Sequence, residues 1–285
     1  IISYNLTNLA TLKSVEGSSD RVSPLKIANP MNSEQEYLRT TLRGAMVETL
    51  ANNRRINATN SVRIFELGRV FLPRERDLPE EKEMLAGILT GPRFPTHWQI
   101  SSDNMGFFDA KGVLEKIFNS ISLQIAYQQA NDLFLHPGKT AQISFKDTAV
   151  GIVGELHPRV LEQFNLGRIP VAFFEVDLEL LISNMLGTNP AFKSISRFPQ
   201  SKRDVALIVD QHVSSVHIQE IIESHEFVMD SAPFDIYTGT EIPQGKKSIT
   251  YSITFQSSIG TLTSEQVDKA QHEILQLLAS RVKAV

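Results

Sequence analysis

From Ser248 to Gln256 the chain alternates without a slip: Ile249, Tyr251, Ile253 and Phe255 are apolar, while Ser248, Thr250, Ser252 and Thr254 carry hydroxyls. Side chains on an extended backbone point to opposite faces in turn, so this pattern predicts a strand with one face in a core and the other wet. The neighbouring segments narrow the choice of fold further. Val205 to Val209 reads as a short apolar strand, and Ser214 or Ser215 can cap a helix bearing Val216, Ile218, Ile221 and Ile222. Phe227 to Tyr237 reads as a second strand, broken by Pro233. Thr263 with Gln266 is a capping-box signature that opens a helix keeping the helical period through Val267, Ala270, Ile274, Leu277 and Leu278. Two helices can cover only one face of so small an antiparallel sheet, which leaves the Ser/Thr face to solvent or to a partner.

Residues 183 to 199 lose the apolar periodicity seen on either side and gather Gly, Asn and two prolines, the composition of a domain connection. A boundary near Pro190 divides the chain into 1–190 and 191–285. With 285 residues, 41% hydrophobic and 21% charged, it has the make-up of a soluble globular protein, and no stretch is apolar enough to span a bilayer. The opening Ile1-Ile2-Ser3-Tyr4 has neither methionine nor signal peptide, so the chain reads as a piece of something longer. Zero cysteines remove disulfides and thiolate chemistry, and with no export signal the expected compartment is the cytoplasm. The run from Arg74 to Glu83 reads as a solvated loop between strands.

Charge limits the partners. The net charge is −4, and residues 195–285 hold eight Lys+Arg against eleven Asp+Glu. Indiscriminate binding to nucleic acid depends on lysines and arginines displacing counterions from phosphates, so DNA is excluded and any RNA contact is local.

Two ordered series of marks lie on this frame. The later one runs Phe198-Pro199-Gln200-Ser201-Lys202-Arg203-Asp204-Val205, Phe234-Asp235-Ile236-Tyr237, Gly245-Lys246-Lys247-Ser248 and Thr261-Leu262-Thr263-Ser264-Glu265. It resembles the ferredoxin-fold anticodon-binding domain of phenylalanyl-tRNA synthetase. The earlier series includes Asn29-Pro30-Met31-Asn32, Tyr37-Leu38-Arg39-Thr40-Thr41-Leu42, Val62 to Phe71, Phe107-Phe108-Asp109-Ala110-Lys111-Gly112, His136-Pro137-Gly138 and Gly154-Glu155-Leu156-His157-Pro158. It resembles the catalytic-core-like module of the beta subunit of the same synthetase. The resemblance implies an α+β chain, with a class II synthetase-like antiparallel sheet core followed by a smaller ferredoxin-like (βαββαβ) domain. It also implies two partners, a catalytic alpha subunit and tRNA(Phe), in an alpha2beta2 assembly using ATP and magnesium.

By that resemblance Arg203, Lys246 and Lys247 are the expected phosphate contacts, and Ser248, Thr250 and Ser252 offer hydroxyls to the RNA. An Arg-Asp pair opening a strand, as Arg203-Asp204 does, has an equal structural account as a tie for an adjacent turn. Leu38, Arg39, Leu42 and Met46, at the head of a helix expected over 39–53, are the expected alpha-facing residues. The chain departs from the family pattern at Thr238 and Gly260, where arginines are common, and at Gly44-Ala45, which replaces Pro-Gly.

Adenylation needs an arginine on the triphosphate and close backbone approach through glycines, because charge builds on phosphate oxygens in the transition state. The segment comparable to the family's Gly-x-Gly-x-Glu-Arg run is Val171-Ala172-Phe173-Phe174-Glu175-Val176-Asp177-Leu178-Glu179-Leu180, which has neither. Alternation assigns Glu175, Asp177 and Glu179 to a solvated strand face. His157 beside Glu155 reads as structural, and His212, His217 and His225 lack zinc-ligand spacing. Phe107, Phe108, Phe173 and Phe174 read as core aromatics, and Trp98 as a loop anchor. No catalytic or metal residue is expected, and no cofactor within this fragment. The leading expectation is a scaffolding and anticodon-binding piece. The rivals are a free-standing carboxylate-adenylating enzyme with a ligand-sensing ferredoxin-like domain, and a pure oligomerisation partner.

Overall fold

In the computed structural model, residues 1–16, 23–56, 61–75, 77–95, 97–100, 103–185, 196–239 and 241–284 are described. The chain divides into two compact units, Ile1–Ala191 and Phe192–Val285. The connection around Pro190 falls outside the described residues.

The first unit begins with β1 (Leu6–Thr7), α1 (Leu9–Ser14), a 3-10 turn (Ser33–Gln35), β2 (Tyr37–Leu38) and α2 (Arg43–Ile56). It continues with β3 (Val62–Leu72), β4 (Glu80–Thr90), α3 (Phe107–Ser120), β5 (Ala126–Gln129), β6 (Leu135–Phe145), β7 (Thr148–Leu156), α4 (Pro158–Gln163), β8 (Val171–Asp177) and α5 (Leu178–Met185). Six of the strands form one antiparallel sheet in the order β3-β4-β8-β7-β6-β5. The β-branched and aromatic residues of 62–72 form the strand their composition predicts.

Helices cover both faces of this sheet. Met46, Val47 and Leu50, at helical spacing on α2, bury one side of that helix against Val70, Ile88, Phe134 and Phe173. On the opposite face Ala110, Leu114 and Phe118 of α3 pack on Leu89, Val153, Phe174 and Val176. β8 is therefore buried along its whole length. Glu175 is only 7% exposed and Asp177 equally so, which corrects the expectation of a wet carboxylate face. The start of α2 is tight at Gly44, where an added Cβ would sit 2.7 Å from the Thr11 methyl of α1.

Other expectations shift locally. Glu80–Glu83 belong to β4 and pair with β3, so the second half of the charged run is strand, with Arg69 bridging Glu81 and Glu83. Phe173 and Phe174 are core, but Phe108 is 80% exposed and Trp98 86% exposed, so the first is not a core aromatic and the second does not anchor its loop by burial. Glu155 is buried and accepts from the Phe107 amide at the start of α3, while His157 caps α4 by accepting from the Arg159 amide. Both are structural.

The second unit comprises β9 (Ser201–Asp210), α6 (Ser215–Glu223), β10 (Val228–Tyr237), β11 (Lys246–Phe255) and α7 (Ser264–Val282). These are the first five elements of a βαββαβ unit, and its sheet has the order β10-β11-β9. Ser214 caps α6, and Thr263 with Gln266 forms the capping box of α7. Pro233 does not end β10. It lies on an edge strand, where a missing N–H is tolerated, beside a register shift between Pro233 and Asp235.

Candidate nucleic-acid interface

β11 is the central strand of the second sheet, and its alternation sorts the whole unit into two sides. Ile249, Tyr251, Ile253 and Phe255 pack with Val205, Leu207 and Val209 of β9 against Ile218, Ile221 and Ile222 of α6 and Val267, Ala270, Ile274 and Leu278 of α7. The Tyr251 hydroxyl donates to the Ser215 carbonyl at 2.8 Å, and burial pushes its pKa up to about 12. Ser248, Thr250 and Ser252 project to the side without helices and remain partly exposed.

Cross-strand register fills in that open side. Ser248 lies between Tyr237 of β10 and Ile208 of β9, Thr250 between Asp235 and Ala206, Ser252 between Ala232 and Asp204, and Thr254 between Asp230 and Lys202. Lys246 shares the side, opposite Asp210. The charged positions are thus two lysines and four aspartates, so the face carries an excess of negative charge.

The three cations expected to act together are split between the two sides. Arg203 pairs with Ile253 and has the parity of Val205, which puts it on the helix-covered side. Its guanidinium reaches Asp268 of α7 at 3.3 Å and the Ser201 hydroxyl at 3.2 Å. The contact runs to α7 and not, through Asp204, to an adjacent turn as expected. Lys247, opposite Val209, also lies on the covered side, and burial lowers its pKa. Only Lys246 joins the hydroxyls.

Two residues quoted as family marks but not singled out for binding lie on the edge strand of the open face, beside the central hydroxyls. Asp235 is exposed beside Thr250, and Tyr237, 44% exposed, lies beside Ser248. A Cβ at Gly239 would meet the Tyr237 hydroxyl at 1.9 Å, so a glycine there lets the phenol lie against the backbone. The signal available in the sequence was parity, since Asp235 and Tyr237 fall two apart.

Of the expected alpha-facing residues, Arg39, Leu42 and Met46 are buried and Leu38 is half-buried. Leu42 and Met46 are wholly buried in the core under α2, and Leu38 pairs with Leu6 in the short β1–β2 ladder. The Arg39 guanidinium is also buried. It donates to the Arg69 carbonyl, the Ser3 hydroxyl and Glu66 at 2.7 to 2.8 Å. Arg39, Leu42 and Met46 are thus committed to packing within the first unit and, unlike Leu38, present no exposed side chain for docking. Exposed apolar side chains do occur on the sheet edge, where Phe65 and Leu67 of β3 are both more than half exposed.

The centre of the first sheet is closed by charge pairs. Arg43 forks onto Asp132 with two 3.0 Å bonds and reaches Glu175 at 3.2 Å, with Phe134 beneath it. Glu175 also accepts from the Thr41 hydroxyl and the Leu42 amide. Burial lowers the pKa of Arg43, but the charges of Glu175 and Asp132 outweigh that and leave it raised. Asp177 is bound by Lys82 at 3.1 Å. Both carboxylates are thus paired with cations.

Residues 1–178 match the family model described as the phenylalanyl tRNA synthetase beta chain CLM domain, and residues 196–285 match the ferredoxin-fold anticodon binding domain. The phenylalanine–tRNA ligase beta subunit of Dehalococcoides mccartyi is 35% identical over 285 residues, which is 100% of this chain and 35% of that protein. Its counterpart in Halalkalibacterium halodurans is 34% identical, covering 100% of this chain and 36% of that protein. The chain therefore spans about a third of the length of these relatives. Among solved structures, pyrrolysyl-tRNA synthetase from Desulfitobacterium hafniense is a distant likeness, with 14% identity, 66% of this chain and 63% of that chain covered, and a TM-score of 0.47.

Proposed function

The chain belongs to the phenylalanyl tRNA synthetase beta chain family, and on that premise we propose that it docks the catalytic alpha subunit and binds the anticodon region of tRNA(Phe). In this reading it supports ATP-dependent charging without performing the reaction itself. ATP and magnesium serve the holoenzyme and are handled by the alpha subunit. The residues of the first unit do not fit a triphosphate: β8 is covered on both faces, and Glu175 and Asp177 are already paired with Arg43 and Lys82. The free-standing adenylating enzyme is disfavoured for the same reason, and its mark would be pyrophosphate exchange with phenylalanine and ATP in the absence of any alpha subunit.

The observation that carries the RNA reading is the uncovered face of the second unit's sheet. Its hydroxyls, aspartates and aromatic ring suit unstacked bases, whose amino groups donate hydrogen bonds and whose rings stack on aromatics. The excess of aspartate on that face argues against a phosphate track, and Lys202 and Lys246 are the cations left to meet one. For the alpha subunit, the exposed Phe65 and Leu67 on β3 are better docking candidates than the buried residues at the head of α2.

The test is fluorescence anisotropy with the anticodon stem and loop of tRNA(Phe) as an oligonucleotide. Tyr237→Ala is expected to cost roughly 1–3 kcal/mol, the worth of one stacked base, and Asp235→Ala to weaken binding as well. Arg203→Ala, removed from the covered side, should change affinity far less. Wild-type affinity in both β10 variants would overturn the assignment of the RNA to this face.

A further inference from the structure

The described residues of 91–105 form a hairpin that leaves the first sheet at the end of β4. Pro92 bridges Asn104 at its base, and His97 bridges Ile100 at its tip. At that tip Trp98 is 86% exposed, and the His97 ring stacks on it with centroids 5.9 Å apart and planes 25° from parallel. The turn is held by the Gln99 amide, which donates to His97 Nδ1 at 3.2 Å. A ring as large as indole is highly buried in most proteins, and here it is presented to solvent.

Arginines gather at the same end of the sheet. β3 starts, β4 ends and β8 starts there, since Val62 pairs with Thr90 and Thr90 with Val171. Arg63 lies at the start of β3, Arg168 is exposed three residues before β8, and Arg54 and Arg55 stand in the last turn of α2. Neutral acceptors hold three of them. Arg54 donates to the Leu166 carbonyl, Arg55 to the Asn52 side chain at 3.4 Å, and Arg63 to the Arg93 carbonyl and to the Met105 sulfur at 3.1 Å. Among the described residues no carboxylate pairs with Arg54, Arg55, Arg63 or Arg168. Arg93 does pair, with Asp109 at 2.7 Å. In a chain of net charge −4, this end therefore concentrates positive charge.

We propose that this end of the first unit is a second RNA contact, which takes an unpaired nucleotide of the tRNA outside the anticodon arm. The base stacks on the face of Trp98 turned away from His97. The flanking phosphates pair with Arg55, Arg63 and Arg168, whose guanidinium groups keep unused N–H donors and match phosphate oxygens two at a time. An aromatic platform beside a cationic track is the combination by which proteins hold single strands. An acidic peptide would satisfy the arginines but would leave the flat indole–imidazole pair without a base to stack on, and an aromatic anchor of a protein interface works by filling an enclosed pocket. That the RNA is tRNA(Phe) rests on the function proposed above; the site itself shares no residue with the sheet face assigned to the anticodon.

The experiment is fluorescence anisotropy of the 285-residue chain with intact tRNA(Phe) and, separately, with the anticodon stem and loop. Trp98→Ala is expected to weaken intact tRNA about tenfold, the scale of one stacked base, and Trp98→Phe, which keeps a ring, to retain most of the affinity. Arg55→Ala combined with Arg168→Ala should lower the slope of log K against log salt for intact tRNA by about 1.4, the share of two single-strand phosphates. All three side chains are exposed, so the thermal midpoint should not move. Affinity for the stem and loop should stay at wild type in these variants, whereas Tyr237→Ala weakens both probes. Unchanged tRNA affinity in Trp98→Ala, or an unchanged salt slope in the double arginine variant, would overturn the proposal, while wild-type behaviour of Tyr237→Ala counts against the anticodon assignment alone. Loss of alpha-subunit association with tRNA binding intact would make this end a protein interface and overturn the proposal equally.

Discussion

The Arg43–Glu175 pair joins residues 132 apart in sequence, which explains why reading Glu175 from its neighbours went astray. Alternating carboxylates look the same whether the face they share meets water or a buried guanidinium, and the partner is what distinguishes the cases. Once Arg43 is in place, removing Glu175 leaves a buried cation with Asp132 alone and strands the Leu42 amide and Thr41 hydroxyl. Glu175→Ala should therefore cost about 3–5 kcal/mol of stability, the range for breaking a buried pair. Glu175→Gln keeps an acceptor for the amide and should cost less; urea unfolding of the two variants tests that order. Arg203 teaches the reverse lesson. Its side of the sheet was already legible, because a residue two before Val205 must share the covered face, yet proximity in sequence to other family marks obscured the parity.

Elements were more legible than their surroundings. The strand over 62–72, the capping box of α7 and the alternation of β11 are local patterns, and the structure reproduces each of them. The head of α2 was not local. Arg39 is drawn towards β3 and the Leu42 amide serves Glu175, so the helix starts at Arg43 and not at Arg39. The close packing of β4 on β8 was equally invisible, since it rests on Gly87 lying beneath the Phe174 ring. A Cβ there would stand 2.2 Å from that ring. Replacing glycine by alanine in an unstrained position commonly gains about 0.4–1 kcal/mol from the unfolded chain, whereas overpacking a core costs about 1–3 kcal/mol. Steric conflict wins, so Gly87→Ala should lower the thermal midpoint. Adding Phe174→Leu should recover part of the loss, because neighbouring substitutions do not add; a double variant less stable than both single ones would refute the packing account.

At the scale of the whole chain, charge and architecture point to the same mode of binding. A net charge of −4 gives no long-range attraction for RNA, and the open face of the second unit has two lysine positions, 202 and 246, against aspartates at 204, 210, 230 and 235. Arg43 and Arg39 in the first unit and Arg203 in the second are committed to ion pairs within the fold. A protein that gripped the backbone through six or more phosphates would lose affinity steeply with salt, because each neutralised phosphate of a single strand contributes about 0.7 to the slope of log K against log salt. Two available lysines limit that slope to about −1.4. Anisotropy titrations of the anticodon stem and loop between ~50 and ~200 mM salt should accordingly show only a several-fold loss, and Lys246→Ala should flatten the dependence further while Tyr237→Ala lowers affinity at every salt concentration alike. A slope near about −4 would mean that RNA is held by a cationic surface elsewhere on the chain, and the aspartate-rich sheet face would then lose its claim to the anticodon.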